Sequence, residues 1–199
     1  MEVSLASAVV ILLLVMDPLG NIPLFVSLLK NVAPERRNRV ILRECAIAFA
    51  LLLFFVFFGR WILALLGLSD ASLNIAGGVI LFLIALRLVF KHPEGVFGVE
   101  PLDAEPFIVP LAIPSIAGPS AIATVILLVS RAPERMAEWI LALAIASAVT
   151  LVLLLASTPI ARALGLRGLA AVDRLMGLIL TAIAVEMLMK GIESFVRSL

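Results

Sequence analysis

The stretch Ala8-Val9-Val10-Ile11-Leu12-Leu13-Leu14-Val15-Met16-Asp17-Pro18-Leu19-Gly20-Asn21-Ile22-Pro23-Leu24-Phe25-Val26 decides the fold. It is apolar over most of its length, yet at its middle stand an acid, two prolines, a glycine and an asparagine. A spanning helix takes about 20 predominantly apolar residues to cross a hydrocarbon core about 30 Å thick. A proline inside a helix removes a backbone donor and clashes with the preceding turn, at about 3 kcal/mol or more, and a glycine adds about 1 kcal/mol. Freed backbone groups at that depth are tolerated only against protein or a water-filled cavity. The stretch therefore reads as a transmembrane helix broken near mid-span, with the break facing the inside of a bundle.

The rest of the chain agrees. Of its 199 residues 63% are hydrophobic and 15% charged, and the mean hydropathy of +1.23 excludes both a soluble globular domain and a disordered chain. A net charge of +1 leaves no basic footprint for nucleic acid. The single Cys45 lies in an apolar run and His92 in a polar linker, so neither an internal disulfide, a zinc cluster nor a histidine-based site in the apolar regions is expected. Spans are read at about 4–30, 40–60, 70–90, 106–130, 138–160 and 171–192. The first is expected to be retained, because Met1-Glu2 supplies no basic n-region. Barrel strands would be shorter and alternating, whereas these runs are continuous. The fold class is all-α: one polytopic transmembrane domain over 1–199, in the cell membrane.

Six spans put both ends on one side. The opposite side carries Lys30, Arg36, Arg37, Arg39, Arg43, Arg87, Lys91, Arg162, Arg167 and Arg174, against Arg60, Arg131, Arg135, Lys190 and Arg197 on the side of the termini. The excess of positive charge predicts both termini outside. Trp61 and Trp139 fall at span ends on that outer side, where interfacial indoles are expected.

The two halves, 1–98 and 99–199, repeat. Ala33-Pro34-Glu35-Arg36 recurs as Ala132-Pro133-Glu134-Arg135, Leu66-Gly67-Leu68 as Leu164-Gly165-Leu166, and Gly78 falls on Gly177, at an offset of 98 to 99. With three spans each, the copies must lie in opposite orientations, the inverted-topology repeat of many secondary transporters. The interruption Asp17 to Pro23 has its counterpart in span four, Ile113-Pro114-Ser115-Ile116-Ala117-Gly118-Pro119-Ser120, with Gly20 aligned on Gly118. Helices 1 and 4 are thus both expected to be discontinuous.

Each break presents two kinds of helix end. Half-helices starting near Pro18 to Asn21 and near Gly118 to Ser120 point N–H groups and positive dipole ends at the centre, which suits a carboxylate. Half-helices ending near Met16 and Ser115 point carbonyls there, and Asp17 adds a formal charge, which suits an ammonium or Na⁺. Both together suit a small zwitterion, since the rims are Gly20, Ala117 and Gly118. Asp17 is the one acid near mid-span; it is a ligand for a cation or ammonium, a proton carrier, or a cap of the second half-helix with Pro18 at its first position. Asn21, Ser115 and Ser120 can hydrogen-bond a ligand or satisfy freed backbone.

Asn74 aligns with Asp173 and either joins the site or bonds across helices. Glu186 and Lys190 read as an interfacial pair; Arg43, Glu44 and Arg87 are expected to snorkel to headgroups. Gly77, Gly78 and Gly177 read as close helix packing, and Phe54, Phe55, Phe57 and Phe58 as lipid contact or core.

Asp17-Pro18-Leu19-Gly20-Asn21-Ile22-Pro23, paired with Pro110-Leu111-Ala112-Ile113-Pro114-Ser115-Ile116-Ala117-Gly118-Pro119, resembles the signature pair of the MarC family of integral membrane proteins, over essentially the whole chain. The resemblance implies a SnatA-type transporter of small neutral amino acids, with glycine and alanine as substrates and coupling to a cation gradient, Na⁺ or H⁺. It points to Asp17, Pro18, Gly20 and Asn21 with Ser115, Gly118, Pro119 and Ser120 as the site, and implies no resident cofactor. The expected function is alternating access around the paired breaks; the alternative is a channel or passive exporter for small solutes. An enzyme is not expected, because an aspartyl protease needs two central acids and a serine site needs a histidine.

Overall fold

A computed structural model describes residues 3–30, 32–65, 67, 69–90, 107–109 and 111–197. His92, Lys91 and Pro110 lie outside these residues, as do the side chains of Arg87 and Asp173. The described residues form helices α1 (Leu5–Met16), α2 (Pro18–Leu28), α3 (Pro34–Leu65) and α4 (Asp70–Val89), then a π-helical turn (Leu111–Ile116), α5 (Pro119–Arg131), a 3-10 turn (Pro133–Arg135), α6 (Met136–Leu155) and α7 (Ser157–Val196). Ser4 and Ser69 start α1 and α4, each hydroxyl accepting the N–H three residues on.

Apolar side chains run nearly all round these helices, as they must where lipid faces one side and protein the other. Among the described residues, four helical stretches are long and apolar enough to cross a membrane: Leu5–Leu28, Pro34–Ile62, Pro133–Leu155 and Ala170–Val196. The third expected span coincides with α4, Asp70–Val89, whereas the fourth is shorter, with apolar helix over Pro119–Arg131. The fourth is short because the chain from Leu111 to Ile116 forms a π turn, with Ile113 in extended backbone (φ −126°, ψ 127°), and helix starts afresh only at Pro119. The sixth expected span, 171–192, falls within the apolar helix Ala170–Val196. Helix resumes at Ser157 and bends at Gly165, whose φ of +61° only glycine adopts without strain.

α4 lies along α7, and α3 packs on α6, α5 and the π turn. α1 packs on α6 and α5, α2 on α7 and α6, and α5 on α4. The α4–α7 seam is tight: a Cβ on Gly191 would come within 2.6 Å of Ile75 Cγ1 and 3.1 Å of the Ala71 carbonyl, and one on Gly78 within 3.0 Å of the Ala184 carbonyl. Small residues at this seam let backbones approach, as expected for Gly78. Phe54, Phe57 and Phe58 are exposed on α3, the lipid-facing alternative for that cluster.

The structure adds detail at Trp139 and corrects the reading of Glu44. Trp139, at the start of α6, packs against protein: its indole N–H donates to the Ala132 carbonyl (2.9 Å) and Arg135 lies over its ring, while Trp61 is exposed. Glu44 does not snorkel. It is fully buried, because it stands on the same stripe of α3 as Ile41, Ala48 and Leu52, and a stripe facing protein leaves a short acid no route to headgroups.

Candidate functional site

α1 ends because Pro18 cannot extend it, and the chain turns at Asp17 in the left-handed region (φ 43°, ψ 60°). Outside glycine that conformation is uncommon, and Asp is among the residues that tolerate it. α2 begins directly behind it with Pro18 at its first position. The Gly20 N–H donates to Asp17 Oδ1 (3.0 Å), so the carboxylate caps α2 and meets its positive end. Gly20 is required for this cap: a Cβ there would overlap Asp17 Oδ2 and fall 2.8 Å from Cγ.

The second break is built differently. Gly118, extended at φ −80° and ψ 168°, precedes α5 with Pro119 at its first position and no side-chain cap. A Cβ on Gly118 would stand 2.7 Å from the Pro114 carbonyl oxygen. The helix starts therefore pair Asp17 with Gly118 and Pro18 with Pro119, not Gly20 with Gly118 as sequence alignment suggested; the extra residues are taken up in the π turn. Asp17 thus has no acidic counterpart at the second cap.

Asn21 joins the two breaks. Its Nδ2 donates to the Met16 carbonyl (3.0 Å), the last residue of α1, and to the Ser115 carbonyl (3.0 Å) across the bundle. Asp17, Asn21, Ser115 and Ser120 are all buried. The expected residues of the two motifs thus meet through Asn21 and Ser115, with Asp17 and Gly20 one turn away on the same helix start. Asn74 is buried as well but belongs to a neighbouring space, a cavity of about 410 Å³ between α1, α4, α5 and α7. Val15, Thr124 and Asn74 line it along its depth, with Val3, Arg131 and Lys190 toward the ends of their helices. The cavity shows that the start of α1, the end of α5 and the end of α7 share a side. The Glu186–Lys190 ion pair (2.8 Å) is exposed at this end.

Sequence reasoning missed Thr124. It is buried, donates to the Ser120 carbonyl (2.8 Å) and lines the cavity one turn after the second break. Its spacing of four from Ser120 was the available signal.

The model of the MarC family of integral membrane proteins matches residues 3–196. The chain belongs to the MarC family. It is 46% identical over 191 residues to the UPF0056 inner membrane protein YhgN of Escherichia coli (strain K12), covering 96% of this chain and 97% of that protein. It is 43% identical over 191 residues to a UPF0056 membrane protein of Buchnera aphidicola subsp. Baizongia pistaciae (strain Bp), covering 95% and 96%. A more distant relative is the UPF0056 membrane protein MJ1677 of Methanocaldococcus jannaschii, 34% identical over 186 residues, covering 90% and 91%. No solved structure matches the chain. Membership in MarC and the long apolar helices make this a multi-pass integral membrane protein.

Proposed function

We propose that the protein is a secondary transporter of small neutral amino acids of the glycine and alanine class, working by alternating access around the two breaks and driven by Na⁺ or H⁺. The observation that carries this reading is the Asn21 bridge from the end of α1 to Ser115, because it brings two helix interruptions together inside the bundle. Interrupted backbone at membrane depth is a feature of substrate and ion sites, and is otherwise costly. Around the bridge stand a carboxylate at Asp17, the first turns of α2 and α5, and glycines that leave room for a small zwitterion. The site we assign comprises Asp17, Pro18, Gly20, Asn21, Ser115, Gly118, Pro119 and Ser120, with Asn74 and Thr124 in the adjoining cavity as its approach.

The six-span inverted repeat belongs to this reading. Take α1–α2, α3 and α4 as one set, and the π turn with α5, α6 to Leu164, and the remainder of α7 as its counterpart. Exchanging the sets turns each principal helix contact into another that is present. The packing of α1 on α6 becomes that of the π turn on α3, α2 on α7 becomes α5 on α4, and α4–α7 and α3–α6 map onto themselves. Gly67 and Gly165, in the repeated Leu-Gly-Leu, share a positive φ (65° and 61°). Such exchange symmetry is expected of two repeats related by an axis in the membrane plane. Charge asymmetry puts both termini outside; membrane-impermeant thiol labelling of a Ser4→Cys variant in intact cells is predicted to succeed, and protection from outside reagent would reverse the orientation.

The functional test is uptake of labelled glycine and alanine into proteoliposomes under separately imposed Na⁺ and pH gradients. Concentrative uptake under one gradient, lost in Asp17→Asn, is expected. Non-saturable equilibration without counterflow would replace the transporter with a passive pore, and uptake against a gradient by Asp17→Asn would remove Asp17 from coupling.

A further inference from the structure

The two ends of the bundle handle charge differently. Where the start of α1 and the end of α5 lie, cations have acids beside them: Arg135 pairs with Glu138 (2.6 Å), Lys190 with Glu186 (2.8 Å), and Glu134 shares a cavity with Arg131. At the other end a cavity of about 400 Å³ lies between the end of α2, the start of α3 and the junction of α6 with α7. Lys30, Arg37 and Arg162 line it from three segments of the chain, and its described lining includes no acid. None of these three cations forms an ion pair among the described residues. Glu35, the one acid between Lys30 and Arg39, is exposed and lies outside the lining.

Arg37 is held in place by the chain reversal it closes. Its Nε donates to the Val32 carbonyl (2.9 Å) and its Nη2 to the Lys30 carbonyl (3.0 Å), which satisfies backbone between α2 and α3. Neither bond uses Nη1, and neither neutralises the charge. Lys30 and Arg162 are exposed. The positive charge comes from side chains alone, since α7 starts where α6 ends and their opposed dipole ends offset each other. The rest of the lining includes apolar Phe25, Val26, Ile41 and Leu155. These stand near the ends of three membrane-length stretches, Leu5–Leu28, Pro34–Ile62 and Pro133–Leu155, so the cavity sits where hydrocarbon gives way to headgroups.

From this arrangement we propose that the cavity binds the headgroup of an anionic glycerophospholipid, with Lys30, Arg37 and Arg162 on the phosphate and the apolar lining along the glycerol and upper acyl chain. Guanidinium groups match phosphate oxygens in geometry, and basic pockets between transmembrane helices suit such headgroups. The lack of an acid in the described lining selects against a zwitterionic lipid, whose ammonium would meet three cations and no carboxylate. Ser157, Thr158 and Asn38 also line the cavity and can hydrogen-bond headgroup hydroxyls. A free phosphate would use the cations alone, whereas a lipid also covers the apolar lining. The proposal depends neither on transport nor on which side of the membrane the cavity faces.

The experiment is native mass spectrometry of the purified full-length protein, titrated with phosphatidylglycerol or phosphatidylcholine of identical chains at fixed ionic strength. The native chain is expected to bind phosphatidylglycerol more tightly. Lys30→Gln and Arg162→Gln, both at exposed positions, should each weaken phosphatidylglycerol binding about fivefold and leave phosphatidylcholine binding as it was. Arg60→Gln, at the far end of α3, should weaken neither; an equal loss there would mean diffuse attraction and overturn the site. Equal affinity of the native chain for the two lipids overturns it as well, as does a preference for phosphatidylglycerol that survives in the Lys30→Gln/Arg162→Gln double variant. Inorganic phosphate is added in a separate arm: if it binds the native chain and displaces phosphatidylglycerol completely, the cavity takes free phosphate and the lipid assignment falls.

Discussion

Asp17 combines a left-handed backbone, a cap on α2 and a formal charge in one residue. Its substitutions therefore separate function from folding. Asn tolerates the left-handed region and caps as well as Asp, so Asp17→Asn should insert and melt close to the native protein. Asp17→Ala loses the cap and puts a Cβ-bearing residue without a local hydrogen bond into that region, so a loss of about 2 kcal/mol is expected. Thermal unfolding in the same detergent compares them; an Asp17→Ala protein as stable as Asp17→Asn would contradict the capping role. The cap was legible in the sequence from Asp-Pro at a helix start. The bridge by Asn21 was not, because spacing along the chain cannot reveal a carbonyl partner 94 residues away.

At the scale of elements, the end of α1 at Met16 and the helix starts at Pro18 and Pro119 were readable because Pro and Gly act locally on the backbone. The details after Leu111 were not. A π turn and an extended Ile113 are settled by tertiary packing on α3 and α2, so counting from repeated motifs placed Gly118 opposite Gly20 when it stands opposite Asp17. Burial of Glu44 and Trp139 escaped for a related reason: in a membrane bundle both faces of a helix are apolar, and hydropathy cannot tell the face toward protein from the face toward lipid. The α4–α7 seam supplies a prediction of its own. Gly191→Leu would drive a side chain into the Ile75 and Ala71 backbone, and overpacking of this kind typically costs about 1–3 kcal/mol. A lowered melting temperature with normal insertion is the expected result; an unchanged one would mean that the helices can separate freely there.

Over the whole molecule, the end of α1 and the π turn before α5 come together at Asn21, beside a cavity between α1, α4, α5 and α7. In the proposed function, that meeting point is where the substrate sits and where the halves move against each other. Family membership supports a multi-pass membrane protein, and the substrate reading rests on the chemistry of the breaks. The most direct test of their meeting is oxidative cross-linking of Asn21→Cys with Ser115→Cys in native membranes, with Cys45 replaced by Ala. A disulfide within one chain is predicted to form, and to form more slowly when alanine is present in saturating amounts. Absence of the cross-link, with both single-cysteine variants folded and reactive, would contradict it.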